Sequence, residues 1–347
     1  MFYEGVVFMS DTIREKACAK EKEILSPRAA FACESRGRLR EEAECPVRTA
    51  FQRDRDRIIH CSSFRRLKHK TQVFLSPEGD YYRTRLTHTL EVSQIARTIS
   101  GALMLNGDLT EAIALGHDLG HTPFGHAGER ALNAISPGGF KHYEQSMRVV
   151  DVLEKDGRGL NLTFEVRNGI ERHTNGEQAA TLEGRVVRLA DRIAYINHDI
   201  DDATIAGIMC EDDIPLAIRN ELGHSKSARI NTLVMSCIKN SGEDILLEKG
   251  IQQVFDELHS FMFEKVYTNP ACKSEEKKAV EMIQKLYMHF VEKPDELPAQ
   301  FKSIAEKDGI QMAACDFIAG MTDRYAVRVF NELYVPKAWS EINDVFL

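Results

Sequence analysis

The sequence carries a helical periodicity along almost its whole length. Residues 179–207 read AATLEGRVVRLADRIAYINHDIDDATIAG, with apolar side chains spaced three and four apart, as in an amphipathic helix. The same spacing recurs in the windows 84–105, 106–120, 141–157, 246–267, 275–292 and 311–333. No series of alternating β-branched residues bounded by turn residues accompanies them. We therefore predict an all-α protein.

The window 84–105 also predicts which side of its helix faces the core. Its large apolar residues fall on one broad face: Leu86, Leu90, Ile95, Ile99 and Leu103. We expect this face to be the buried one.

The chain of 347 residues is long enough to bury a sizeable core. It contains no internal repeat and no low-complexity linker, although EDDIPLAIRN at 211–220 separates two patterned halves. We predict a single all-helical domain over 1–347, with a catalytic core at about 50–210 and a C-terminal helical region at 211–347.

The composition narrows the function classes. With 53 acidic against 45 basic residues the net charge is −8, which argues against a generally basic nucleic-acid binder. No apolar run approaches the roughly 20 residues of a membrane helix, and the opening MFYEGVVFMS lacks a basic start. The eight cysteines are scattered without a CxxC pair, which favours reduced thiols. We expect a cytoplasmic protein without a membrane partner.

Residues 114–129 read ALGHDLGHTPFGHAGE and contain the first candidate ligands of a metal ion, His117 and Asp118. Neighbouring residues of a helix point about 100° apart, so both can reach one ion only near a helix end. Gly116 and Gly120 predict such an end.

Two further ligands are predicted from other helices. His88 interrupts the amphipathic pattern of its window, and Asp191 is a carboxylate among Val, Leu and Ala, costly to bury unless paired or bound to metal. Two imidazoles and two carboxylates suit Mn²⁺, Mg²⁺, Fe²⁺ or Zn²⁺. Each residue alone has a simpler interpretation, since His-Asp dipeptides are common and single histidines are often satisfied in cores. The combination carries the prediction.

Asp191 begins a stripe on the long helix. Tyr195 and Asp199 follow it at spacings of four and eight, so the three share a face that Arg192 flanks. This face either lines a pocket with a ligand, an aromatic platform and a hydroxyl acceptor, or is the solvated side of an amphipathic helix.

A basic stretch precedes the predicted ligands. Residues 51–90 contain nine arginines or lysines against four acidic residues, and Arg85 lies one turn before His88. Arginines bind phosphate oxygens in bidentate fashion, which predicts a phosphate-binding surface. The alternative, indicated by RDRDR at 53–57, is a solvated helix with internal Arg–Asp pairs.

More histidines follow than one open metal site needs. His121, His126 and His142 can donate a proton to a leaving oxygen or anchor a phosphate, and Glu129 can orient one of them. GxSxG, Walker A and GxGxxG motifs are missing from the sequence, which weakens serine hydrolase, P-loop and dinucleotide-binding interpretations.

The order His88, His117-Asp118, Asp191 resembles the signature of the HD phosphohydrolase superfamily. The surrounding sequence is similar to bacterial deoxyguanosinetriphosphate triphosphohydrolase-like proteins over about residues 25–205 and again at 316–326. Its blocks include FQRDRDRIIHCSSFRRLKHKTQVF, DYYRTRLTHTLEV, GHDLGHTPFGHAGE, HYEQSMRVV, RLADRIAYINHDIDDA and DFIAGMTDRYA.

This resemblance implies an all-helical HD fold that hydrolyses a deoxynucleoside triphosphate (dNTP) at the α-phosphorus, releasing deoxynucleoside and triphosphate. It implies a divalent metal held by His88, His117, Asp118 and Asp191. It implies a catalytic pair of His126 and Glu129, with His121 and His142 also at the phosphates. For substrate binding it implies Gln72 and Asp199 at the sugar 3′-hydroxyl, Tyr195 against the sugar, Val73 near the base or sugar, and Arg85 and Arg192 on the phosphate chain.

The resemblance further implies a homo-oligomer, and it leaves open whether a nucleotide or single-stranded DNA acts as an effector at a second site. Two other functions stay open. One is a different HD enzyme, a nucleotidase or phosphodiesterase, which would release orthophosphate or a monophosphate. The other is a nucleotide sensor that binds without turnover.

Overall fold

A computed structural model describes residues 11–72, 83–174 and 176–336, excluding the side chains of 270–274. Across these ranges the regular structure is helical, and strand-like pairing is confined to the isolated bridges Arg38–Thr163 and Thr71–Thr84. The predicted all-α class is confirmed.

The α-helices of the described residues are, in chain order, α1 (Ile13–Ile24), α2 (Ala50–Ile59), α3 (Ser62–Arg66), α4 (Arg85–Ala102), α5 (Gly107–Gly116), α6 (Gly125–Ile135), α7 (His142–Arg148), α8 (Glu154–Gly157, one distorted turn), α9 (Phe164–Glu171), α10 (Leu182–Ile205), α11 (Leu216–Leu222), α12 (Lys226–Asn240), α13 (Lys249–Met262), α14 (Pro270–Glu292), α15 (Ala299–Asp308), α16 (Ile310–Ala319) and α17 (Asp323–Tyr334).

Helix α5 is the central helix of the fold. Its sequence GDLTEAIALG is apolar from Ala112 onward, and α2, α4, α9 and α10 pack around it. The side chain of Asn106 caps its start by accepting the backbone N–H of Leu109 at 3.2 Å. The helix predicted over 106–120 ends at Gly116, so the following His-Asp pair lies in a turn emerging from the core.

The predicted face of α4 lies in the core except at Leu90. Ile95 and Ile99 are buried and Leu86 and Leu103 pack against the core, whereas Leu90 is 51% exposed. His88 and Val92 are buried as well, on a helix that packs against α5 and α10. The polar His88 therefore points inward, and Leu90 points to solvent.

Two hydrophobic clusters organise the packing. The first contains buried residues from Cys18 to Val266, including Ile214, Ile218 and Leu222, which lie beyond the predicted core boundary near 210. The second joins the end of α6 and Phe140 to residues between 283 and 329. Packing thus divides after Val266, and the functional boundary near 210 stays a prediction.

The window 311–333 forms two helices instead of the one that was predicted. Helix α16 ends at Ala319, and α17 begins at Asp323 with Thr322 as its N-cap. The intervening Gly320 interrupts the periodicity, as glycine at a helix C-terminus commonly does. This turn faces residues 121–125, which follow the His-Asp pair.

None of the helices in the described ranges is both long enough and apolar enough to cross a membrane.

Candidate active site

The four predicted metal ligands converge from three helices. His88 Nε2 lies 3.0 Å from Asp191 Oδ1 and 3.9 Å from Asp118 Oδ2. His117 Nε2 lies 3.4 Å from Asp118 Oδ1 and 3.7 Å from Asp191 Oδ1. Helix α4, the turn after α5 and helix α10 therefore bring two imidazoles and two carboxylates together, and the ligand atoms of His88, His117 and Asp118 lie within 4.8 Å of one another.

The protonation of His117 indicates that a cation fits there. Its Nδ1 donates to the carbonyl of Ala114 at 2.6 Å, so Nε2 carries the lone pair. Within the described part of the chain this buried Nε2 has no hydrogen-bond partner. A buried acceptor left without a donor is costly, and a divalent ion between these four groups would satisfy it. The residues present therefore fit the metal that the HD signature implies.

Both carboxylates are held in the ionised form that ligands need. Burial raises the pKa of Asp118, but its contact with His117, its hydrogen bond with His121 and the charge of Arg85 outweigh burial and hold that pKa well below its usual range. Burial opposes ionisation of Asp191 too, and the adjacent imidazoles of His88 and His117 lower its pKa.

His88 is oriented from behind by two residues that the sequence analysis missed. His198 Nε2 lies 2.6 Å from the Glu91 carboxylate, to which it donates. Burial lowers the pKa of His198 to about 4, so the ring is neutral and its Nδ1 accepts. That nitrogen lies 3.4 Å from His88 Nδ1, which donates to it and leaves His88 Nε2 free for a cation. Helical spacing offered a signal, since Glu91 follows His88 by three residues and His198 follows Asp191 by seven.

We expect His198→Ala to lower the affinity for Mn²⁺ by about tenfold to a hundredfold, as is typical when the hydrogen-bond partner of a metal-binding histidine is removed. Mn²⁺ binding to metal-free protein, followed by electron paramagnetic resonance, measures this directly. The matched control is His224→Ala, because His224 is exposed. Equal affinity in both variants would contradict the orienting role.

A second polar cluster lies beside the ligands. Glu129 Oε1 accepts the backbone N–H of His142 at 2.9 Å and lies 3.0 Å from its Nδ1, and His126 Nδ1 is 3.4 Å from Glu129 Oε2. His173, which was not predicted, donates from Nδ1 to the carbonyl of Ile170 at 2.7 Å. Its Nε2 therefore accepts from His142 Nε2, 3.3 Å away.

His121 connects this cluster to the ligands. Its ring stacks on that of His142 with centroids 4.1 Å apart, and its Nε2 lies 3.3 Å from Asp118 Oδ1. Burial and the charge of Arg85 lower its pKa well below the usual range, so the ring is neutral. His126 differs from the other predicted histidines because its side chain is 69% exposed, at the open side of the cluster.

Two predicted sugar-binding residues present unused acceptors. Asp199 Oδ2 accepts a hydrogen bond from the hydroxyl of Tyr267, and burial raises the pKa of Asp199 to about 8. Its Oδ1 and Gln72 Oε1 are buried without a hydrogen-bond partner among the described residues. Tyr195 is half-buried on α10, between Asp191 and Asp199 in sequence. Val73 lies outside the described residues.

The two predicted phosphate-binding arginines are placed differently. Arg85 is buried, with NH1 2.8 Å from Asp118 Oδ2 and an Nε that has no partner in the described ranges. Arg192 lies at the surface, with NH2 2.8 Å from Asp256 Oδ1.

The earlier part of the basic stretch serves the fold. Arg55 pairs with Asp108 of α5 at 2.8 Å, and Arg57 pairs with Glu42 at 2.7 Å. For this part of the stretch the expected phosphate surface is wrong, because these arginines connect α2 to neighbouring segments. The alternative was right about ion pairs, although the partners lie elsewhere in the chain.

Two protein-family models match parts of this chain. A family model of the HD domain matches residues 85–196, which include the four candidate ligands. A model described as a phosphohydrolase-associated domain matches residues 245–332.

Similar proteins match almost the full length. A deoxyguanosinetriphosphate triphosphohydrolase-like protein of Caldanaerobacter subterraneus subsp. tengcongensis is 54% identical, over 95% of this chain and 98% of its own. One of Clostridium perfringens strain SM101 is 50% identical, over 94% and 98%. The crystal structure of a phosphohydrolase from Bacteroides thetaiotaomicron has a TM-score of 0.51 at 18% identity, over 81% of this chain and 68% of that one, which is a likeness of fold.

Proposed function

This chain belongs to the family of deoxyguanosinetriphosphate triphosphohydrolase-like proteins, which makes it an HD phosphohydrolase, and we propose that it hydrolyses a dNTP at the α-phosphorus. The products would be a deoxynucleoside and triphosphate. A water oxygen becomes bonded to phosphorus, the bond from phosphorus to the 5′ oxygen breaks, and that oxygen takes up a proton.

The observation that carries the proposal is the buried Nε2 of His117, which has no hydrogen-bond partner among the described residues, close to the cluster centred on Glu129. His121 connects the two groups, since it contacts Asp118 on one side and stacks on His142 on the other. Hydrolysis of a phosphate ester needs charge stabilisation and proton transfer at adjacent positions.

His88, His117, Asp118 and Asp191 would hold the divalent ion, whose identity among Mn²⁺, Mg²⁺, Fe²⁺ and Zn²⁺ the donor set leaves open. When bound, the ion supplies a Lewis acid that polarises a phosphoryl oxygen. Arg85 adds a fixed positive charge within the same buried region, where a cation offsets the charge that develops on the phosphate.

Proton transfer falls to the cluster around Glu129. His126 and Glu129 would be the catalytic pair, and the exposed His126 would face the departing 5′ oxygen. His121 and His142, whose rings stack on each other next to Asp118, would lie at the phosphates.

The sugar would lie along α10. Asp199 Oδ1 and Gln72 Oε1, which have no hydrogen-bond partner in the described part of the chain, would accept the 3′-hydroxyl, and Tyr195 and Val73 would lie against the sugar. Arg192 would leave its ion pair with Asp256 and bind the phosphate chain of the substrate.

A product assay tests the proposal. Each of the four dNTPs, alone and in pairs, is incubated with Mn²⁺ or Mg²⁺, and the products are separated by anion-exchange chromatography. Pairs are included because the family resemblance leaves open whether a second nucleotide acts as an effector. We expect deoxynucleoside and triphosphate in equal amounts. Release of pyrophosphate or orthophosphate would contradict the proposal in favour of another HD enzyme, and binding without product would favour a sensor.

A further inference from the structure

The turn between α16 and α17 contacts two segments of the candidate active site. We define the catalytic loop as residues 120–126 and the substrate segment as residues 70–72. We propose that Asp323, at the start of α17, is a positioning residue that fixes the catalytic loop relative to the substrate segment. The inference rests on the proposed function for its effect on catalysis.

Asp323 joins the two segments through one buried carboxylate. Oδ1 accepts the backbone N–H of Phe124 at 3.0 Å. Oδ2 accepts the backbone N–H of Thr71 at 3.0 Å and its hydroxyl at 2.7 Å. Hydrogen bonds to a charged group are stronger than neutral ones, and Asp323 is 5% exposed, so water competes weakly for them. One side chain therefore sets the separation of Phe124 from Thr71.

The catalytic loop needs such a restraint because its backbone is strained where Asp323 binds. Phe124 has φ 61° and ψ 24°, in the left-handed region that residues with a Cβ rarely adopt. Gly125 follows with φ 52°, and a Cβ there would lie 3.0 Å from the carbonyl oxygen of Gln72. This conformation places His126 at the second residue of α6. Without Asp323 the N–H of Phe124 would lose a charged partner and the loop would relax.

Further hydrogen bonds connect the turn between α16 and α17 to residues near the substrate segment and the catalytic loop. Lys70 Nζ donates to the carbonyl of His121 and, at 2.9 Å, to that of Ala319. Arg66 NH1 donates to the carbonyl of Gly320 at 3.2 Å. Residues 319–323 thus belong to the matched phosphohydrolase-associated domain and contact the matched HD domain at its catalytic loop.

Three of the four candidate metal ligands are held by other elements. His88 lies on α4, Asp191 on α10, and His117 donates to Ala114 within the end of α5. Loss of Asp323 should therefore displace His126 and Gln72 while the ion is bound as before. A displacement of about 1 Å at a catalytic group can cost about a hundredfold in rate.

The test compares Asp323→Asn and Asp323→Ala with the parent chain. We expect Asp323→Ala to lower kcat/KM for dNTP hydrolysis by about a hundredfold. Asp323→Asn should show a smaller loss, since its amide oxygen retains one acceptor. Mn²⁺ affinity should stay within about threefold in both variants. Amide hydrogen exchange of the peptide containing Phe124 should be faster in Asp323→Ala. The matched control is Arg324→Ala, because Arg324 is the next residue and is exposed.

Unchanged kcat/KM or unchanged exchange in Asp323→Ala would overturn the inference, as would a loss of metal affinity parallel to the loss of activity. If Asp323→Ala does not fold, Thr71→Val removes one of the three hydrogen bonds at nearly constant volume. We then expect faster exchange around Phe124, and parent-like exchange would overturn the inference. If the parent chain hydrolyses no dNTP, the proposed function fails, while the exchange measurement still decides whether Asp323 holds the loop.

Discussion

Replacing His117 by alanine should lower dNTP hydrolysis by about a thousandfold or more, because a bound metal contributes several kcal/mol to phosphoryl chemistry. The variant removes the buried Nε2 that lies within 4 Å of both ligand carboxylates. It should also fail to retain a stoichiometric divalent ion after gel filtration, as measured by elemental analysis. The fold should persist, since the change only truncates a side chain at the end of α5.

The matched control is His60→Ala, which removes an exposed histidine at the end of α2. It should retain parental activity and metal content. Parental activity in His117→Ala would show that the four-residue cluster is not the metal centre that the reaction uses.

Replacing Glu129 by glutamine should lower kcat by about a hundredfold to a thousandfold, in the range that positioned acid–base groups contribute. The carboxylate accepts the backbone N–H of His142 and lies within 3.4 Å of His126 Nδ1. Hydrogen bonds with His126 and His142 outweigh burial and lower the pKa of Glu129, which keeps it charged. Glutamine has nearly the same shape, but it loses the charge and presents an N–H to one histidine. Steady-state kinetics measures the effect.

Mn²⁺ affinity distinguishes Glu129→Gln from His117→Ala, since Glu129→Gln should bind the metal like the parent chain and His117→Ala should not. The control is Glu144→Gln, because Glu144 is an exposed carboxylate on α7 that contacts Lys141. If Glu129→Gln keeps parental kcat, the histidines around it do not take part in proton transfer.

Much of the candidate site could be predicted from the sequence, because its ligands stand out against local patterns. His88 and Asp191 are polar residues at positions that a helix of this periodicity buries, and burying them calls for a partner. The four side chains do lie together. The faces of single helices were predicted less well, as Leu90 shows, because the neighbours of α4 decide which face is buried.

Residues that act through other residues escaped prediction. His173 and His198 accept hydrogen bonds from predicted site residues, and Asp323 reaches the catalytic loop from about 200 positions along the chain. Such contacts depend on tertiary packing, which local spacing does not encode. The ion pair between Arg192 and Asp256 of α13 could not be predicted for the same reason.

The most direct test of the central claim follows the oxygen of water. Hydrolysis of a dNTP in water enriched with ¹⁸O, followed by mass spectrometry, reports which bond breaks. Attack at the α-phosphorus predicts one ¹⁸O in triphosphate and none in the deoxynucleoside. Label in the 5′-hydroxyl of the deoxynucleoside, or in pyrophosphate or orthophosphate, would contradict the account.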